Sequence, residues 1–170
     1  MVENLKTTRY NDGSAIPTGL SGLTWEYTTS GAYAIYNNDP ANKATYGMLY
    51  NWHAVNTGKL APAGWHVPTD AEWTILTTYL GGDSIAGRVM KSINLWLNPN
   101  IGSTNSSGFT GLPAGWRDGF GSFGAIWNYG YFGRLRRIIQ LMHGLAVCLA
   151  IIQMRLGTLT IRGVAILSVV

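Results

Sequence analysis

Apolar and polar positions change period several times along the chain, and each change predicts an element. Residues 1–45 are polar and broken by turn signals at "NDGSAIP" and "NNDPANK". Between those turns, "TWEYTTSGAYAIY" alternates apolar and polar side chains, the period-two pattern of short strands. The stretch "YGMLYNWHAV" (46–55) sets Leu49, Trp52, His53 and Asn56 on one helical face, which predicts a short helix. "NTGKLAPAGWHVP" then reads as a loop.

The clearest helix signal is "PTDAEWTILTTYLGG" (68–82). Thr69 and Glu72 fit a capping box, in which the Thr hydroxyl and the Glu carboxylate each satisfy the other's backbone N–H. Asp70 adds negative charge at the positive end of the helix. Trp73, Leu76, Thr77 and Leu80 form the inward stripe, and Gly81-Gly82 stop the helix. Capping gives Glu72 a structural duty ahead of a catalytic one. Trp65 and Trp73 are assigned to the core. Residues 87–131 are rich in glycine and aromatics but lack a regular period. "NPNIGSTNSSGFTGLPAGWRDGFGSFG" reads as long loops around one or two brief strands. Loops of that length are functional or disordered, and abundant Trp and Phe argue for order.

At Phe132 the pattern breaks. Before it the chain is rich in Trp, Tyr, Gly and Asn; after it come Ile, Leu, Val and Arg. Residues 1–132 carry seven Lys/Arg against eight Asp/Glu, whereas residues 133–170 carry five Arg and no acid. The formal charge of +4 over 170 residues is therefore a property of the tail. Five scattered Arg make no basic stripe, so no nucleic-acid partner is expected. The length suits one domain with a real core.

The apolar run Ile138–Met154 is interrupted by Gln140, His143 and Gln153 and falls short of the roughly 20 residues a span needs, so no membrane span is expected. "MVENLKTTRYNDG" has no apolar core of a signal peptide. Cys148 is the single cysteine, which excludes an intrachain disulfide or a Cys-based zinc site. Its surroundings show no pattern marking it as a nucleophile. His53, His66 and His143 lie far apart without metal-ligand spacing, and each reads as a loop or core histidine. No nucleophile elbow, phosphate loop or dinucleotide fingerprint occurs. The chain is thus read as no enzyme, with no cofactor and no metal. "NNDP" (37–40) and "WRDG" (116–119) offer oxygen ligands but not the carboxylate set calcium prefers. Turn formation accounts better for Asn38, Asp39 and Asp118.

Four stretches in order, "VENLKTTRYNDG", "GAYAIYNND…ANKATYGMLYNWHAV", "GWHVPTDAEWT" and "GFTGLPAGWR", resemble the Fibrobacter succinogenes major paralogous domain over residues 1–132. That domain is similar to C-type-lectin-like folds, including the formylglycine-generating group, whose catalytic cysteines this chain lacks. The resemblance implies an α+β fold of two helices, a small twisted antiparallel sheet and a loop-rich ligand face. It also implies a strand ahead of "ENLKTT", which a chain starting at Met1 is expected to lack. Family members go on to "W-S-[AS]-T-E", an Asn-rich stretch and a closing "G-[FY]-S-V-R-C"; none of these follows Phe132 here.

A one-base slip accounts for the loss. Joining each third base from Phe132 onward to the first two bases of the next codon lets "FGRLRR" encode Trp-Ser-Ala-Thr-Glu. Residues 137–144 then permit Asn-Asn-Thr-Thr-Asn-Ala-Trp. The same reading ends the chain on Gly-Tyr-Ser-Val-Arg-Cys, with no gap over 38 residues. AAT-AAT read one base later is ATA-ATA, which turns Asn into Ile. Residues 133–170 are therefore expected to be a frameshifted family C-terminus, an aberrant apolar and basic tail replacing the closing strands. Such a tail is expected to promote self-association. Sequencing the gene tests the slip directly.

The resemblance also places Trp116, Arg117, Asp118, Trp127, Tyr129 and Tyr131 where such folds present ligand contacts. Trp, Tyr and Arg are the residue types that anchor interfaces. Packing of the same side chains onto the sheet is the alternative. The expected function is a non-enzymatic extracellular or cell-surface binding module for a glycan or a protein. A structural accessory domain of a secreted or pilus-like assembly, or a hypervariable protein of a diversity-generating retroelement, are the other readings.

Overall fold

A computed structural model describes residues 3–130, 147–151 and 165–169, the last two stretches by their backbone. Strands β1 (Glu3–Asn4), β2 (Tyr33–Ala34), β3 (Leu49–Tyr50), β6 (Val147–Ile151) and β7 (Ala165–Val169) form one five-stranded sheet. β2 pairs antiparallel with β3, and β6 with β7. β7 also runs parallel to β1 and then to β3, so the sheet is mixed where an antiparallel one was expected. A second sheet is the hairpin β4 (Trp116–Arg117) and β5 (Phe123–Gly124). Around them lie α1 (Gly22–Tyr27), α2 (Ala41–Tyr46), α3 (Trp52–Asn56), α4 (Asp70–Tyr79) and α5 (Asp83–Met90), with a 3-10 turn at Tyr36–Asn38. The α+β class is as expected. The five helices among the described residues exceed the two that the resemblance implied.

Successive strand residues face opposite ways, and here that divides the core. Tyr33 and Tyr50 are register partners and join Leu5, Ile16, Met48, Val55 and Leu60 on one face. Ala34 and Leu49, the next pair, join Trp25, Ala32 and Tyr36 on the other. Helix α3 packs on the first face through Ala54 and Val55. The β4–β5 hairpin covers the second through Trp116 and Phe123.

Helix α4 forms as the sequence predicts. Thr69 Oγ1 accepts from Glu72 N at 3.3 Å, and Glu72 Oε2 accepts from Thr69 N at 2.7 Å. Trp73 and Leu76 are buried, while Thr77 and Leu80 are partly covered. Gly81 and Gly82, at φ +98° and +90°, close the helix through Gly82 N to Thr77 O and Gly81 N to Thr78 O. Thr69→Ala is expected to cost about 1 kcal/mol of unfolding free energy in a urea titration.

The same cap makes stability depend on acid. Burial pushes the Glu72 carboxyl up, but the Thr69 N–H, the His66 ring at 2.6 Å and the Thr69 hydroxyl together pull it below its ordinary value. A carboxylate lowered in the folded state stabilises fully above its unfolded pKa and loses that contribution as pH falls through the folded one. The parent should therefore lose stability below about pH 4.5, and Glu72→Gln should flatten that acid limb of the melting profile. An unchanged limb in the variant would dismiss this assignment.

Other expectations need correction. Residues 46–55 are not one helix: Leu49–Tyr50 is strand β3, and the helix starts after Asn51, whose Oδ1 caps it by accepting from Ala54 N at 2.9 Å. Burying Leu49 and Tyr50 on opposite faces outweighs the helical stripe. The first half of "TWEYTTSGAYAIY" is helical in α1, capped by Ser21 and anchored by buried Trp25; the strand is confined to Tyr33–Ala34. Helices α2 and α5 occupy stretches read as turn and loop.

Candidate functional site

Gly115 opens the hairpin at φ +69°, where an added Cβ would lie 2.5 Å from Gly124 O and 2.8 Å from Ile126 N. Trp116 lies opposite Gly124, and its indole covers the space a Cβ would need there. Only glycine permits that close approach. At the turn, Asp118 N donates to Ser122 O, and Asp118 Oδ1 accepts from Ser122 N, both at 2.8 Å. The Asp118 carboxylate therefore holds the turn, as the sequence reading preferred.

Arg117, opposite Phe123, is 2% exposed. Its guanidinium carbon lies 4.2 Å from the Trp25 ring centroid and 5.0 Å from that of Phe123. Nη2 donates to Leu20 O at 2.8 Å, and Nε to Gly121 O at 3.1 Å; Nη1 has no partner among the described residues. Burial lowers its pKa against the opposing pull of Asp118. This cation is a fastener between the hairpin, α1 and the preceding loop. Trp116 is half-buried against the same face of the core.

The two remaining described candidates face solvent. Trp127 is 53% exposed and Tyr129 56%. Trp127 sits at φ +69°, its N–H donating to Pro113 O at 3.0 Å and its carbonyl accepting from Leu97 N at 2.8 Å. Its indole pairs with Tyr46, whose phenol burial pushes up and the indole pulls back. Tyr129 is tied to the hairpin by Gly115 N donating to its carbonyl at 3.0 Å. Tyr131 lies outside the described residues, as does His143. The structure thus brings Trp116, Arg117 and Asp118 into one hairpin and hangs Trp127 and Tyr129 from its base.

Sequence reasoning passed over the neighbours of Trp127. Leu97, bonded to it, is exposed, and so are Ile93 and Leu95, the latter at φ +70°. The signal was present as alternating apolar residues in "SINLWLNPNIG", but a stretch of Asn and Pro reads as loop. Positive φ is uncommon for bulky residues, yet Leu95 and Trp127 both adopt it beside the same hydrogen bond.

Among the described residues, no group of His, Cys, Asp and Glu is placed to hold a metal ion. Asp39 of "NNDP" accepts from Ala41 N at 2.9 Å, a turn contact. His66 pairs with Glu72, and His53 lies on α3. No helix among them is long and apolar enough to cross a membrane. Among known proteins, the family model described as the Fibrobacter succinogenes major domain matches residues 1–135. No curated protein and no solved structure matches the chain.

Proposed function

The chain belongs to the Fibrobacter succinogenes major domain family, and from that premise we propose that it is a non-enzymatic binding module of the extracellular space or cell surface. Its ligand face is the apolar and aromatic surface of Trp127, Tyr129, Leu95 and Leu97, and its ligand is a protein. The fold is taken as C-type-lectin-like, a reading supported by the family match and by the α+β class with long loops carrying Trp127 and Tyr129. The family match ending at residue 135 supports reading 133–170 as an aberrant tail.

The carrying observation is the backbone of Trp127. A large aromatic held at φ +69° and half exposed gains little for stability, since strain of this kind costs of order 1–3 kcal/mol. Surrounding bonds to Pro113 and Leu97 hold it there all the same. Exposed, rigid Trp and Tyr beside aliphatics form the usual anchor of a protein interface. Arg117 fixes the hairpin from which they hang.

A random-peptide display library selected on the chain, with a glycan array in parallel, tests this reading. Peptide binders are expected, and Trp127→Gly should weaken them at least about tenfold. The same substitution should lower unfolding free energy by only about 1 kcal/mol, because relief of the positive φ offsets the freedom glycine adds to the unfolded chain and leaves chiefly the loss of the indole's hydrogen bond with Tyr46. Binders on the glycan array alone that Trp127→Gly weakens would replace the protein ligand with a sugar. Binders on neither, or binders indifferent to Trp127, would leave a structural accessory role.

A further inference from the structure

The opposite face of the sheet carries a second concavity that shares no residue with the Trp127 surface. It is an open groove of about 450 Å³ between the 10–17 loop, residues 29–31 and helix α3. We propose that this groove binds a neutral, polyhydroxylated ligand, namely a hexopyranose unit.

The lining chemistry carries the choice. Tyr10 and Pro17 supply ring faces, and Thr29, Ser30, His53 and Asn56 supply polar groups. Hydroxyl and carboxamide groups can donate and accept at once, and a neutral imidazole does so across its two nitrogens. Vicinal sugar hydroxyls require such a set. No hydrogen bond within the described residues occupies the Thr29 or Ser30 hydroxyls, the His53 ring or the Asn56 carboxamide. The groove therefore presents unspent polar groups beside apolar ring faces, matching the two sides of a pyranose.

Charge selects against ionic ligands. No carboxylate, ammonium or guanidinium lines the groove. The nearest pair behind Tyr10, Asp12 with Lys59 at 2.8 Å, neutralises itself. Buried groups also hold the walls in place. Asn51 Oδ1 accepts from Ala32 N and Ala54 N, and its Nδ2 donates to Ser30 O, each at 2.9 Å. One carboxamide thus locks the 29–31 segment to α3. Tyr33 N donates to Pro17 O at 2.9 Å and fixes the third wall. At Gly31 a Cβ would collide with the Tyr10 hydroxyl and lie 2.7 Å from Ala54 Cα. Glycine is what lets Tyr10 close over the groove floor. Walls ordered before binding lower the cost of ligand capture.

The full chain titrated with the methyl glycosides of glucose, galactose and mannose, followed by backbone amide NMR, tests the assignment. Glucuronate and glucosamine serve as charged comparators. At least one neutral glycoside should give saturable shifts confined to residues 10–17, 29–31 and 53–57, with half-saturation of order 1–10 mM for so open a site. Thr29→Ala combined with Asn56→Ala, both at exposed positions, should weaken binding about tenfold through two lost hydrogen bonds, with the remaining amide spectrum unchanged. Trp127→Gly should leave the affinity as it was, which separates this site from the protein-binding face. No saturable response to any neutral glycoside overturns the proposal. So does a response to the charged sugars alone, or one that the double variant leaves intact.

Discussion

Arg117→Ala is expected to lower the unfolding free energy by about 3 kcal/mol. Opposing effects must be weighed to reach that sign. Burying a cation without an anionic partner costs several kcal/mol, and burial does lower the Arg117 pKa. Against this stand two charge-assisted hydrogen bonds, each about 1.5–3 kcal/mol, and a desolvated stack on Trp25 of about 2 kcal/mol. Alanine forfeits all three, leaves the Leu20 and Gly121 carbonyls unpaired, and opens a cavity between Trp25 and Phe123.

Two further substitutions separate the causes. Arg117→Lys keeps the charge but cannot present a flat guanidinium to both rings and both carbonyls, so it should lose about 2 kcal/mol. Arg117→Met fills the volume but removes the charge, its burial cost and its stack on Trp25 along with the two hydrogen bonds, and should lose about 1–2 kcal/mol net. Urea unfolding of the three variants reads all of this. An alanine variant within about 0.5 kcal/mol of the parent, the range of ordinary surface changes, would reduce Arg117 to a bystander. The effect should extend to binding, because the Gly115–Tyr129 bond transmits the hairpin's position to the ligand face.

That ledger could not have been drawn from the sequence, and the reason is distance along the chain. Helix α4 was legible because its signals are local: Thr69 and Glu72 lie three residues apart, and the stop is a pair of adjacent glycines. Strand β3 was not, since Leu49–Tyr50 becomes a strand by pairing with Tyr33–Ala34 and with Ser168–Val169. Arg117 was flagged as a ligand contact because arginine in an aromatic loop fits that role. Its acceptor at Leu20 lies 97 residues away, which no window of local pattern reveals. Trp127 and Tyr129 do sit on an exposed surface, placed there by family likeness. Leu97 was missed because only the folded backbone puts it beside Trp127. The sugar-sized groove was equally hidden, its walls being joined by the single side chain of Asn51.

On the reading that residues 133–170 come from a one-base slip, a chain with the frame shifted back after Phe132 is expected to be both more stable and monomeric. Two observations at the sheet argue for it. Strand β6, "VCLAI", is apolar throughout and pairs only with β7 among the described residues. Natural edge strands carry a Lys, a Pro or a bulge against edge-to-edge pairing, and β6 has none of the residues that serve this purpose. Beside β7, Asn4 is 2% exposed; its Nδ2 donates to Tyr46 O at 2.6 Å, but its Oδ1 has no partner among the described residues. The register sets residue 166 next to it, an isoleucine here, which brings no donor. The shifted codons permit tyrosine at that position, within the restored Gly-Tyr-Ser-Val-Arg-Cys, and its hydroxyl can donate. A satisfied acceptor in place of a buried orphan is worth about 1–3 kcal/mol. Asn4→Ala should accordingly cost more in the restored chain than in the present one, with a coupling of about 1–2 kcal/mol between residue 4 and the tail. Sedimentation should show the present chain associating and the restored chain as a single species. Equal stability, equal association and an unchanged cost for Asn4→Ala would together mean that the Ile- and Arg-rich ending was selected as it stands, and that β6 is an interface, not an accident.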